Sequence, residues 1–250
     1  MTERAPEALR AVSILPNFTD APLGSVLMCC GATRVLCTVS LEEKVPPFRA
    51  ASGGGWLSAE YAMLPGSSPQ RVRRASTEGR PDGRATEIQR LVGRSLRAGF
   101  DLDQLGPRTL WVDCDVLQAD GGTRTAAITG GYVAAHIAVA RLVHDGLASP
   151  AALLPAIAAV SVGVVGGVPR LDLDYALDSR ADVDMNVVVN ATGEFIEVQG
   201  TGERAGFGRA TLDRLLDLAA QGTRELLGHQ TRAIAEALAA QPGVRPVRGA

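Results

Sequence analysis

Three groups of residues in this chain have the types and spacing for chemistry, and all three suit phosphate. The first is Asp120-Gly121-Gly122-Thr123-Arg124-Thr125, between a strand-like and a helix-like segment. Glycines let the backbone approach an anion closely, and the first N–H groups of a helix point outward unpaired. Thr123 adds a hydroxyl and Arg124 a forked cation. In the competing reading Asp120 or Thr123 simply caps the helix. The second is Gly83-Arg84, opening a segment that continues as Glu87-Ile88-Gln89-Arg90. An arginine there opposes the helix dipole, a conflict that a bound anion would remove. Two such helix starts in one chain suggest a shared phosphate pocket.

The third group is acidic: Asp172 and Asp174, then Asp178, then Asp182 and Asp184. Carboxylates a few residues apart around a turn gather Mg²⁺ beside substrate phosphates. Five aspartates cannot all be ligands. Asp172 and Asp174 alternate with leucines and read as solvent-facing strand residues, Asp182 as a turn cap. Asp113 and Asp115 form a rival pair on one strand face.

Charge distribution adds a partner class. The chain of 250 residues carries a net charge of −2. Yet between Gly66 and Arg97 stand Arg71, Arg73, Arg74, Arg80, Arg84, Arg90, Arg94 and Arg97 against Glu78, Asp82 and Glu87, a net of +5. Arg71, Arg73 and Arg74 occupy a polar loop where flexible cations track a nucleic-acid backbone, unless the loop is merely solvated.

Other chemistries are poorly supplied. Lys44 is the only lysine, so neither a G-x-x-x-x-G-K-[ST] phosphate loop nor a Schiff-base lysine is expected. His136, His144 and His229 make no H-E-x-x-H motif and read as helix-surface residues. No G-x-S-x-G elbow occurs. Gly200-Thr201-Gly202 misses the G-x-G-x-x-G spacing. Cys29, Cys30, Cys37 and Cys114 lack C-x-x-C spacing and read as reduced, buried thiols. No secretory leader is visible and no stretch approaches the roughly 20 apolar residues of a membrane helix, so a cytoplasmic protein is expected. Asn17-Phe18-Thr19 and Asn190-Ala191-Thr192 are then chance matches to the glycosylation pattern.

The positioning elements follow from periodicity and turn residues. Val26–Cys29 and Arg34–Val39 flank Gly31-Ala32-Thr33 as a hairpin. Proline and glycine around residues 45–48 and 53–55 forbid regular structure. A short strand spans Leu57 to Met63, and helical spacing runs from Thr86 to Phe100. A strand at Leu110–Leu117 precedes a small-residue helix from Thr123 to Leu142, suited to tight packing on a sheet. Ile157–Val165 and Val168–Leu173 pair across Gly166-Gly167, and Val187–Val189 pairs with Phe195–Val198. An amphipathic helix covers Thr211 to Leu238, before a frayed tail over residues 241–250. Strands followed by helix occur twice, which predicts an α+β fold of two similar halves, about 8–145 and 155–240, in one unit spanning 1–240.

Taken together these segments resemble the ribonuclease PH family. The resemblance rests on Gly24-Ser25-Val26-Leu27, Glu43-Lys44-Val45-Pro46-Pro47-Phe48, Ala59-Glu60-Tyr61-Ala62-Met63-Leu64-Pro65 and residues 87–98. It extends through residues 113–126, Asp182-Val183-Asp184-Met185-Asn186-Val187-Val188 and Glu197-Val198-Gln199-Gly200-Thr201. The family implies a duplicated β-α-β fold like the second domain of ribosomal protein S5, assembled as a homo-hexamer, a trimer of dimers. It implies phosphorolytic trimming of tRNA precursor 3′ ends. By motif match, Arg84, Gly122, Thr123 and Arg124 would hold inorganic phosphate, and Asp178 and Asp184 a catalytic Mg²⁺. The chain departs from the family at Thr2-Glu3-Arg4-Ala5 and Gly66, which bears on RNA grip. It departs again at Ala176-Leu177, which bears on metal affinity. Two other functions on this fold are a non-catalytic RNA-binding ring subunit, which should lack the arginine or aspartate set, and a small-molecule phosphotransferase, which should show a glycine-rich nucleotide loop.

Overall fold

The computed structural model describes residues 4–74, 82–204 and 206–240. Glu78 and Arg80 of the basic segment, the Thr2-Glu3 departure and the tail over 241–250 lie outside them. Two sheets sandwich a central helix. The first sheet has the order β1-β2-β3-β5-β4, built from Val12–Pro16, Gly24–Cys30, Thr33–Glu42, Trp56–Met63 (β4) and Thr109–Gln118 (β5). Only the β4–β5 pairing is parallel. The second sheet is antiparallel in the order β7-β6-β8-β9, from Ile157–Val165 (β6), Val168–Leu171 (β7), Val183–Asn190 (β8) and Phe195–Gly202 (β9). The α-helices are α1 (Gly83–Arg97), α2 (Thr123–His144), the single turn α3 (Tyr175–Asp178) and α4 (Arg209–Ala239).

Alternation decides the faces of the first sheet. In β3, Thr33, Val35, Cys37 and Val39 point into the core, while Arg34, Leu36 and Thr38 are less covered. Helix α2 lies between the sheets, touching β2, β3 and β5 on one side and β6 on the other. Its small residues allow this. A Cβ on Gly130 would stand 2.7 Å from Met28 Cβ, and one on Gly24 would stand 2.1 Å from the Ala134 carbonyl. Ile128, Tyr132, Ile137 and Leu142 are fully buried, each contributing about 1.5–3 kcal/mol by removal from water.

Several sequence expectations need correction here. Helix α2 is long and apolar enough to cross a membrane by length and composition. Its burial between two sheets explains that composition. The same enclosure puts His136 in the core at 6 % exposure rather than on a helix surface. Its Nδ1 meets the Tyr132 hydroxyl at 3.2 Å, and burial pushes its pKa down to about 4. The segment expected to lack regular structure contains a 3-10 turn, Pro47–Ser52, entered through Pro47 and closed by Gly53 at φ 70°. All four cysteines are buried and free. The fold is α+β, a duplicated arrangement of the ribosomal protein S5 domain 2 type.

Candidate active site

A cleft of about 1030 Å³ opens between residues of the two halves. Arg84, Gly122, Thr123, Arg124, Asp178 and Asp184 all line it. These residues come from α1, the loop before α2, α2 itself, α3 and β8. Arg84, Arg124 and Asp184 stand far apart in the chain, so the fold assembles the site.

The loop before α2 is the most constrained part. Gly121 and Gly122 both take positive φ, 73° and 63°. A Cβ on Gly121 would stand 2.6 Å from the Leu173 carbonyl, so glycine lets this loop press against the segment that carries Asp178. Thr33 Oγ1 donates to the Gly121 carbonyl at 2.7 Å and accepts from the Asp120 N–H at 3.0 Å. Arg10 donates to the Asp120 carbonyl. With these contacts the loop is rigid before any ligand arrives. Asp120 and Thr123 do not cap α2: its N-cap is Gly122, with no side-chain capping bond. The Asp120 carboxylate instead accepts from the Tyr175 N–H at 3.4 Å. Helix α2 therefore begins with N–H groups open to the cleft, the condition for an anion seat.

Helix α1 resolves its conflict differently. Asp82 caps it, its carboxylate accepting from the Arg84 N–H at 3.2 Å. The anion that a basic first turn calls for is thus supplied by the chain itself, and only the Arg84 side chain faces the cleft. Arg124 is held by residues that sequence reading did not single out as site residues. Its guanidinium donates to Gln199 Oε1 at 3.1 Å and reaches Glu87 Oε1 at 3.5 Å, while Gln199 Nε2 donates to Glu87 at 3.1 Å. Nearby, the Arg94 fork pairs with both oxygens of Glu197 at 2.9 and 2.7 Å. Both links join α1 of the first half to β9 of the second. The Tyr61 hydroxyl lies 2.8 Å from Thr123 Oγ1, and burial raises that phenol above its ordinary value. Each tie joins segments far apart in the chain, so periodicity and motif spacing carried no signal for Tyr61 or Gln199.

The aspartates separate cleanly. Asp172 does not face solvent and is not on a strand, since β7 ends at Leu171. It is 3 % exposed at φ 57°, and Arg10 pairs with both its oxygens, Nε to Oδ2 at 2.9 Å and Nη2 to Oδ1 at 2.7 Å. Burial alone would raise its carboxyl, but the hydrogen bonds and charge of Arg10 hold it below the usual carboxylate range. Arg4, part of the departing N-terminal segment, donates to the Asp172 and Leu171 carbonyls. Asp174 caps α3, accepting from the Leu177 N–H at 2.9 Å. Asp182 accepts from the Gly166 N–H at 3.1 Å in the β6–β7 turn. Asp113 and Asp115 sit beside Glu60 on the outer face of the first sheet, away from the cleft, their carboxyls raised by burial and then by Glu60.

Asp178 and Asp184 remain, together in the cleft. Burial raises both, with Asp184 pushed up to about 6 by burial and then by Asp178; Arg124 pulls both the other way. Glu203, also lining the cleft and unmarked by sequence reading, adds negative charge beside them. Among the described residues no group of three or more His, Cys, Asp or Glu side chains is arranged to hold a metal. Two partly desolvated carboxylates that repel each other nevertheless suit Mg²⁺, which takes one or two carboxylates and completes its shell with water and phosphate. Arg71, Arg73 and Arg74 are exposed and stay outside the cleft lining, whose wall ends at Gln70 of the same loop.

An open helix start and two arginines beside paired carboxylates, built across a duplicated α+β fold, suit an enzyme that handles phosphate groups. The comparisons narrow that class. Residues 8–141 match domain 1 and residues 156–222 match domain 2 of the 3′ exoribonuclease family. A ribonuclease PH from Corynebacterium efficiens is 56% identical over 231 residues, covering 92% of this chain and 94% of that one. One from Syntrophomonas wolfei subsp. wolfei is 52% identical over 227 residues, covering 91% and 95%. Among solved structures, an Archaeoglobus fulgidus exosome with RNA bound to the active site superposes with a TM-score of 0.74 at 22% identity, covering 90% of each chain. The chain belongs to the ribonuclease PH family of 3′ exoribonucleases, and phosphorolytic processing of tRNA 3′ ends is the activity of that family.

Proposed function

We propose that this protein trims tRNA precursors and other RNAs from the 3′ end, using inorganic phosphate and releasing nucleoside 5′-diphosphates. The observation that carries this reading is the uncapped start of α2 with Arg84 and Arg124 beside it, facing Asp178 and Asp184 across one cleft. Phosphate is held by the open N–H groups at Thr123 and Arg124, by the Thr123 hydroxyl and by the two guanidinium groups. One of its oxygens attacks the terminal phosphorus. The bond to the neighbouring 3′ oxygen breaks, that oxygen takes a proton, and the nucleotide leaves with a new P–O–P linkage. One phosphate linkage replaces another, so the step is reversible. Such chemistry depends on positioning and charge stabilisation more than on proton transfer, which is what a rigid loop and a tethered Arg124 supply. Asp178 and Asp184 would hold Mg²⁺, whose contribution is to neutralise charge on the reacting phosphates.

The exposed Arg71, Arg73 and Arg74, just beyond the cleft wall at Gln70, bind the RNA backbone. We further assign a homo-hexamer built as a trimer of dimers; the likeness to a subunit of the Archaeoglobus exosome, itself an assembly with RNA at its active site, supports oligomeric assembly and RNA binding. A cytoplasmic location fits the four free, buried thiols.

The test is to incubate the purified protein with a short 3′-tailed single-stranded RNA and Mg²⁺, with and without phosphate, and to identify the released nucleotides. Nucleoside diphosphates that appear only with phosphate support the proposal. Nucleoside monophosphates, or intact RNA despite binding, would overturn it. Native mass spectrometry checks the hexamer.

A further inference from the structure

One large side chain in the cleft has no structural employment. Tyr175 is 67 % exposed, and it is the one aromatic residue among the described residues lining the cavity. No hydrogen bond to its hydroxyl occurs among the described residues. A ring of this size left in water gives up burial that Tyr61 and Tyr132, the other two tyrosines, obtain. Its backbone, by contrast, is locked. The Tyr175 N–H donates to Asp120 Oδ1 at 3.4 Å, its carbonyl accepts from the Ser179 N–H at 3.0 Å, and Asp174 caps the turn it opens. Gly121 exists as glycine partly because Tyr175 N lies 2.8 Å from where a Cβ would be.

The ring's position is also defined. Tyr175 stands three residues before Asp178 on the single turn α3, so the two side chains lie on one face of that turn. Arg84, Thr123 and Arg124 line the same cavity, and both guanidinium groups act on the Asp178 carboxyl. A strand whose terminal phosphate lies among those cations and Asp178 has its last base in the same cavity as the Tyr175 ring.

We propose that Tyr175 is the stacking platform for the 3′-terminal nucleobase of the RNA, an inference that rests on the phosphorolysis reading above. Stacking on an aromatic face is sequence-tolerant because every base has a π-face. The platform therefore positions the last nucleotide without selecting among the four bases, as a trimming enzyme with mixed 3′ ends requires. The ring touches substrate; it does not touch the phosphate seat.

The experiment compares the full-length wild type with Tyr175→Ala and Tyr175→Phe. Each is given a 3′-tailed RNA ending in an ordinary nucleotide or in an abasic ribonucleotide. Binding is measured by fluorescence anisotropy without phosphate, turnover with phosphate, and assembly mass on the same samples. Tyr175→Ala should weaken binding of the ordinary RNA by about 5- to 150-fold, the effect of losing one base–aromatic stack. It should leave abasic RNA and the KM for phosphate unchanged. The wild type should lose the same factor on abasic RNA, and Tyr175→Phe should behave as wild type. Equal weakening of ordinary and abasic RNA by Tyr175→Ala, or no weakening of either, would refute the platform. So would a change of assembly mass, which would make the ring an interface residue. If the wild type binds with this base dependence yet yields no phosphate-dependent product, the phosphorolysis reading fails and the platform stands.

Discussion

Replacing Arg124 with alanine should damage phosphate use far more than RNA binding. The guanidinium is only 16% exposed and sits beside the open start of α2, where a charge-assisted hydrogen bond is poorly screened by water. Such bonds contribute about 1.5–3 kcal/mol each, which converts to about a 10- to 150-fold rise in the KM for phosphate. The larger end of that range is expected. Removing Arg124 leaves the Glu87 carboxylate without its cation, 3.5 Å away in the native cleft, and that charge then repels the incoming anion. Glu87→Gln placed on top of Arg124→Ala should therefore recover part of the loss. Arg124→Lys should recover less than its charge suggests, because an ammonium cannot present two parallel N–H groups. The assay is initial-rate phosphorolysis over a phosphate titration at saturating RNA, paired with RNA anisotropy in the absence of phosphate. Equal losses in the two measurements, or an unchanged KM for phosphate, would refute the assignment of Arg124 to the anion seat.

Two further predictions concern what holds the cleft in place. Asp172→Asn should destabilise the protein by about 3–5 kcal/mol in chemical denaturation, because it strands the buried Arg10 charge. It should also slow turnover, since Arg10 braces the Asp120 carbonyl of the loop before α2; full activity in a folded variant would contradict that bracing role. His136 makes stability depend on pH. Its folded pKa is depressed to about 4 from an ordinary 6.5, so the unfolded chain takes the proton first. Its contribution is fully present above pH 6.5 and is lost as pH falls toward 4, by about 3 kcal/mol in all. Thermal melts between pH 7 and pH 4 should show this fall for wild type and a shallower one for His136→Gln; parallel curves would count against it.

Much of the protein was legible in its residues because the signals were local. The αL glycines and hydroxyl before α2, the small-residue pattern of that helix and the turn glycines between strands are all set within a few residues of chain. The residues proposed for phosphate and metal do meet in one cleft, although the bare pattern of aspartates could not rank its members. That ranking needed tertiary structure. Asp172, Asp174 and Asp182 look as available as Asp178 and Asp184 until Arg10, the Leu177 N–H and the Gly166 N–H claim them. His136 looked like a surface residue because helical periodicity cannot report a second sheet covering the other side. The partners of Arg124 and Thr123 were invisible for the same reason: Glu87, Gln199 and Tyr61 stand 37, 75 and 62 residues away. Local sequence specifies which groups can bind phosphate. Only the meeting of the two halves decides which are held rigid, which are neutralised and which stay open to substrate, because burial and pairing are properties of neighbours in space.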